Sequence, residues 1–358
     1  MFAQAYEINL IQPINHNDPA GKTFNQQIFL SYVGPDRPVV VVTEGYGAKN
    51  YTTELADYLN CNQIIIEHRY FEESTPDSVD WTYLTTWQSA TDQHEIIELF
   101  KPVFQGKWIT TGISNGGTNV MLHSFLARVG TPEERNRIFE FQKLLLSKYE
   151  VLCPMMLSIA AKKGWTFERV GGSQVAYEMS VLEYDFAFWQ WGGIATDKIP
   201  LEGTDNEIFT NFSKISDLSY FSDQEANRLE SYFYQALTEI GYYGYQFEKF
   251  DGYLKYAKDS DKSDFTFAAP QGVELVYDYE LMKNVNRYIQ NRGNNFCFIY
   301  GGNDTWYATS IQLTGRSNAI KVVKQGGDHL TRIKNMNEYD KALVFSTLGK
   351  WLGEEIKE

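Results

Sequence analysis

Short, unbroken apolar runs that alternate with helical stretches constrain this chain more than any other feature. The runs are Pro38–Thr43, Gln63–Glu67, Trp108–Gly112, Asn295–Tyr300 and Ala319–Lys324. A run without polar alternation reads as a strand covered on both faces. Helical patterns lie between the runs, near 52–59, 82–101, 115–126, 274–292, 306–314 and 337–352. Strands alternating with helices make a mostly parallel sheet, so the fold class is α/β. Ahead of the first run, residues 5–12 and 26–33 alternate apolar and polar around a loop rich in Asn, Asp, Pro and Gly. That pattern predicts an antiparallel ribbon.

From about 128 to 273 the chain changes character, being rich in Tyr, Phe and Trp, with helical periodicity and few strand signals. Thr131-Pro132-Glu133-Glu134 is a helix start, with Thr at the N-cap and Pro at the first helical position. Asp223–Ile240 reads as an amphipathic helix. The expected division is a first core part at 1–126, a helical lid inserted at 127–273 and a second core part at 274–358.

With 43% hydrophobic and 15% aromatic residues, the 358-residue chain can bury a large core and is not disordered. Its formal charge of −14 disfavours a phosphate backbone, so nucleic acid is not an expected partner. No apolar run of about 18 residues is present, so no membrane span is expected. Cys61, Cys153 and Cys297 cannot all pair, and none sits in C-x-x-C, which leaves no cysteine metal or redox site. The amino terminus shows no basic region followed by an apolar one, which taken literally means no signal peptide, whereas Ala3 and Ala5 read equally as the stub left by a cleaved signal. With the signal removed, the expected location is secreted or periplasmic.

The chemistry is carried by G-I-S-N-G-G at 112–117, placed after the strand K-W-I-T-T and before a helix. This is G-x-S-x-G in the strand–turn–helix setting of a nucleophile elbow, which makes Ser114 the candidate nucleophile. The N–H of Asn115, at the helix start, would face the developing oxyanion. A second donor is expected from the loop T-E-G-Y-G, at the N–H of Gly45 or Tyr46. In an α/β-hydrolase the acid and the histidine follow the serine in that order. Of His16, His68, His94, His123 and His329, only His329 follows the late strands, in Q-G-G-D-H-L. Asp304, in G-G-N-D-T-W after a strand, is the candidate acid; Asp328 is its rival, and a helix cap at Trp306 is its alternative role. His94 is expected on a solvated face, His68 in a loop-ordering role, and His123 too far along its helix to serve Ser114. Glu44 either receives a substrate ammonium or pairs with Arg69.

These residues resemble the secreted bacterial prolyl tri/tetrapeptidyl aminopeptidases, serine peptidases related to the lysosomal Pro-X carboxypeptidase and dipeptidyl-peptidase group. The resemblance rests on Q-P-I-N-H (12–16), R-P-V-V-V-V-T-E-G-Y (37–46), I-E-H-R-Y-F-E-E-S-T-P (66–76) and Q-S-A-T-D-Q-H (88–94). It continues through G-I-S-N-G-G, V-G-T-P-E (129–133), L-E-Y-D-F-A-F-W-Q-W-G (182–192) and G-G-N-D-T-W (301–306). It implies an α/β-hydrolase with Ser114, Asp304 and His329 as the triad, no cofactor, and release of short peptides from free amino termini after proline. Phe186, Phe188, Trp189 and Trp191 then offer flat faces for a proline ring or form lid core. Glu44, Glu67, Glu183 and Asp185 are the candidates for holding the substrate ammonium. Two other readings stand beside it: an esterase or amidase on the same scaffold, and an inactive binding scaffold. The sequons at Asn50, Asn211 and Asn303 discriminate nothing, though a glycan at Asn303 would obstruct Asp304. The chain departs from the family after Leu126, where a strand is expected and none is legible before Cys153. About thirty residues are absent by comparison, through deletion or through an omitted segment, and omission is the favoured reading.

Overall fold

The computed structural model describes residues 2–114, 119–257 and 264–356. Its strands are β1 (Gln4–Pro13), β2 (Thr23–Tyr32), β3 (Val39–Thr43), β4 (Asn62–Ile66), β5 (Trp108–Thr111), β6 (Asn294–Gly301) and β7 (Asn318–Lys324). The helices begin with α1 (Glu54–Leu59), α2 (Thr86–Phe100), α3 (Asn119–Leu126), α4 (Pro132–Ser147) and α5 (Tyr149–Lys163). They continue with α6 (Ser173–Leu182), α7 (Tyr184–Trp191), α8 (Asp205–Ile215), α9 (Asp223–Gln235), α10 (Leu281–Arg292) and α11 (Glu338–Leu352). The chain forms two compact units: Met1–Asn115 with Arg332–Glu358, and Gly116–Thr331.

The first unit holds a sheet in the order β1-β2-β4-β3-β5. β1 and β2 form the expected antiparallel ribbon, β2 runs antiparallel to β4, and β3 lies parallel to both β4 and β5. Counting β6 with β7, three of the five strand pairings are parallel. The period of two in β3 sends Val39 and Val41 to one face, where they pack with Ile64, Ile66 and Ile96. Val40 and Val42 face the other side, with Ala56, Leu59, Cys61 and Ile65, and with Leu352 and Ile356 packed against them. Each fully buried Val or Ile contributes roughly 1.5–3 kcal/mol, which explains why these strands carry no polar alternation.

The second unit holds the helices α3 to α10 and the β6–β7 pair. α4 starts as the sequence predicts, with a reciprocal capping box between Thr131 and Glu134. α9 gives way at Ala236 to a π-helical turn that ends at Ile240. The aromatic surplus of this region becomes a core in which Phe233 stacks on Phe265, and Tyr242 on Tyr243.

Two expectations are corrected. β3 and β4 are covered on both faces, but β5, β6 and β7 are only partly buried. Among the described residues β5 ends its sheet, and β6 and β7 pair only with each other, so each has an open side. Among the described residues no strand intervenes between β5 and β6. The helix expected at 306–314 is a single 3-10 turn at Thr305–Thr309. Beyond it Gln290 of α10 donates to the Gln312 carbonyl and accepts from the Thr314 N–H, bonds that hold this stretch out of a helix.

Candidate active site

Ser114 follows β5 and is exposed, with φ at +68°. Left-handed backbone at a non-glycine residue is strained, and a nucleophile elbow uses that strain to project its serine. Gly112 is needed just before it, since a Cβ there would lie 2.9 Å from the Thr43 hydroxyl of the neighbouring strand. Asn115, the expected oxyanion donor, lies outside the described residues. Gly45 and Tyr46 sit on the loop leaving β3, and among the described residues the Gly45 N–H has no hydrogen-bond partner. Ser114, Gly45 and Tyr46 belong to the first unit, and Asp304 and His329 to the second.

His329 Nδ1 and Asp304 Oδ2 lie 2.7 Å apart, both side chains about one-tenth exposed (11% and 10%). The other Asp304 oxygen accepts the Trp306 N–H at 3.1 Å, so the capping role and the pairing role coexist in one carboxylate. Asp328 instead accepts the Leu330 N–H, within its own loop. The two loops are joined through backbone: Asn303 N–H donates to the Gly327 carbonyl, and Gly302 N–H to the Lys324 carbonyl. That approach explains the G-G pair, because a Cβ at Gly301 would lie 2.2 Å from the Asp328 carbonyl oxygen.

α7 holds both loops. Its Gln190 carbonyl accepts the His329 N–H at 2.8 Å, and its Phe186 carbonyl accepts the Thr305 hydroxyl at 3.0 Å. Gly192, at φ +63°, ends the helix where a Cβ would meet Asp328 Oδ2 at 2.4 Å. Sequence reading named Phe186 only as an apolar face and did not single out Gln190 or Gly192, although the Trp-Gly pair closing L-E-Y-D-F-A-F-W-Q-W-G hinted at the latter.

Of the four candidate aromatics on α7, Phe186, Phe188 and Trp189 are buried. Phe186 stacks on Tyr243, and Trp189 lies against Gly130. Trp191 differs: it is 48% exposed and meets the His329 ring edge-on at 5.3 Å.

The four candidate carboxylates separate by environment. Glu44 accepts from the Tyr51 hydroxyl at 2.8 Å. Its expected alternative partner, Arg69, is committed elsewhere, so that pairing is corrected. Fully buried, Arg69 forks onto Asp92 at 2.6 and 2.7 Å and donates to the carbonyls of Pro13, Ile14 and Tyr83. Glu67 is also fully buried, and both its oxygens are occupied by the Ala48 N–H and by the Ser74 N–H and hydroxyl. Burial raises its pKa against the pull of those bonds. Glu183 lies buried between the hydroxyls of Tyr243 and Tyr245, and burial pushes it up to about 8. Asp185 accepts the Phe186 N–H on one oxygen, and burial pushes it up to about 6, with Lys249 pulling the other way.

The remaining histidines have structural partners. His16 bonds Asp92, His68 Nδ1 donates to the Arg69 carbonyl, and His94 is exposed as expected. His123 bonds the Gly244 carbonyl, and burial holds its pKa below the ordinary value. All three cysteines are free.

The prolyl tri/tetrapeptidyl aminopeptidase of Streptomyces mobaraensis is 26% identical over 380 residues, covering 96% of this chain and 79% of that protein. The aligned stretch is longer than this chain, so that relative carries residues without a counterpart here. Among solved structures, homoserine O-acetyltransferase from Staphylococcus aureus aligns with TM-score 0.36 and 12% identity, over 98% of this chain and 94% of that one. An esterase from Pyrobaculum calidifontis gives 0.33 and 11%, over 98% and 85%. Those two likenesses are too weak to add to the strand order itself. The decisive match is to the PS-10 peptidase S37 family, over residues 3–124 and 118–355, two segments that overlap shortly before the departure after Leu126. Strand order, serine elbow and near-complete match agree, and the chain belongs to the peptidase S37 family of serine peptidases.

Proposed function

We propose that this serine peptidase is an exopeptidase that releases tri- and tetrapeptides from free amino termini by cutting after proline. The observation that carries the reading is the buried Asp304–His329 pair at 2.7 Å, with the imidazole bonded through Nδ1. That bond leaves Nε2 as the base. In the reaction His329 takes the Ser114 Oγ proton as the oxygen attacks the scissile carbonyl carbon. The N–H groups of Asn115 and of Gly45 or Tyr46 hold the oxyanion, and Asp304 stabilises the imidazolium. His329 then protonates the departing amine. Water, deprotonated by the same imidazole, cleaves the acyl-enzyme and restores the serine. The name of the Streptomyces relative supports peptide release after proline.

Trp191, the exposed α7 aromatic beside His329, is the face on which we stack the proline ring. Asp185, with Glu183 behind it, is the assigned holder of the substrate ammonium. Burial makes an unpaired carboxylate costly there, and an incoming ammonium relieves that cost. The test is release of p-nitroaniline from Ala-Ala-Pro-p-nitroanilide, free or amino-blocked, by wild type, Ser114→Ala and Asp185→Asn. Turnover of the free form alone, abolished by Ser114→Ala and given a KM at least tenfold higher by Asp185→Asn, is expected. Equal turnover of both forms would instead identify a general amidase or esterase.

A further inference from the structure

The loops that leave β3 and β4 are tied together by contacts that the reaction scheme above does not use. Glu44 N–H donates to the Ile66 carbonyl, and His68 N–H donates to the Tyr46 carbonyl at 3.2 Å. Between them stands Glu67, fully buried, with Oε2 accepting the Ala48 N–H at 2.8 Å. Its Oε1 accepts the Ser74 N–H at 2.9 Å and the Ser74 hydroxyl at 2.8 Å. One carboxylate therefore bonds the loop of Gly45 and Tyr46 on one side and the far end of the β4 loop on the other.

The β4 loop cannot hold that geometry alone. Tyr70 and Glu72 both have positive φ, at 68° and 42°, a backbone state that costs about 1–3 kcal/mol per residue unless its surroundings enforce it. Arg69 supplies the enforcement, with its guanidinium locked to Asp92 of α2 and to three backbone carbonyls. The rigidity passes from α2 through Arg69 to Glu67, and from Glu67 to Ala48. Two and three residues before Ala48 stand Tyr46 and Gly45, whose backbone amides are assigned to the oxyanion.

We infer that Glu67 is a positioning residue, fixing the Gly45–Tyr46 amides toward the oxyanion rather than holding the substrate ammonium. The inference rests on the hydrolase reading above. A donor misaligned by a fraction of an ångström loses most of its worth to the transition state while leaving substrate binding intact.

The experiment compares wild type, Glu67→Gln, Ser74→Ala and Ser114→Ala on the free peptide anilide and on p-nitrophenyl acetate, which has no ammonium. Rates are normalised to the p-nitrophenol burst, so that only assembled sites count. Glu67→Gln is expected to lower kcat about 10–100-fold on both substrates with KM within about twofold. Ser74→Ala, which removes one of the donors to Oε1 and perturbs the fold less, is expected to lower kcat about 3–10-fold in the same pattern. A raised KM on the peptide with an unchanged rate on the acetate would overturn the inference and return Glu67 to the ammonium. Unchanged kcat in Ser74→Ala and in Glu67→Gln would overturn it too. Absence of any Ser114-dependent turnover in wild type would overturn the hydrolase reading, and this inference with it.

Discussion

Asp304 divides its two oxygens between the Trp306 N–H and the His329 ring, so its substitutions have separable effects. Asp304→Asn keeps an oxygen for the cap and offers an amide N–H to Nδ1, which forces the proton onto Nε2. The fold should survive while the base is lost. We expect kcat to fall about 10³–10⁴-fold with the thermal midpoint nearly unchanged, measured by anilide turnover beside calorimetry. A fall below tenfold would argue that Asp304 is a cap and not the triad acid. At this scale the sequence was legible where chain order guides the choice: Asp304 and His329, picked from their places after the late strands, lie 2.7 Å apart. It was not legible for Glu44 and Arg69, because the partner of a long side chain depends on tertiary approach. Asp92, on α2, lies twenty-three residues from Arg69 and gave no local sign of the pairing.

α7 acts as a single rigid element whose end is shaped to the histidine loop. Gly192 combines a left-handed backbone with a Cβ position 2.4 Å from Asp328 Oδ2. Gly192→Ala should therefore cost about 1–3 kcal/mol and displace the loop that carries His329. Thermal unfolding and kcat are expected to fall together, and an unchanged kcat would show that the loop holds its place without α7. Elements were read well where pattern alone sets them, as in the alternation of β1 and β2 or the Thr131 capping box. They were read poorly where a neighbour decides. The apolar runs of β6 and β7 have the composition of strands covered on both faces, yet among the described residues each has only the other for a partner. At 306–314 the helical pattern yielded to the amide of Gln290, which no local signal announces.

Across the whole molecule, the most distinctive electrostatic feature is a set of carboxylates made weakly acidic by burial. Glu183 stands at about 8 against an ordinary 4.5, and Asp185 at about 6 against 3.8. Because both folded-state values are raised, the stability they permit is complete below the ordinary values. It is lost as pH rises through about 6 and then about 8, by an amount on the order of a few kcal/mol. The thermal midpoint should decline between about pH 4 and 8 and level off above, and Glu183→Gln should flatten the part of that decline between pH 6 and 8. A Glu183→Gln curve parallel to wild type would remove Glu183 as the cause. The division of the chain has a consequence of another kind. The first unit is built from residues at both ends of the sequence, with Leu352 and Ile356 packed against the cluster around Val40 and Val42. During synthesis on the ribosome, that face of β3 is made early and, although α1 packs on it, must wait for the cover of Leu352 and Ile356 until the end of the chain has emerged. The segment made in between, Gly116–Thr331, has all its own residues available sooner, so the order of translation favours assembly of the inserted unit before the unit that encloses it in sequence is complete.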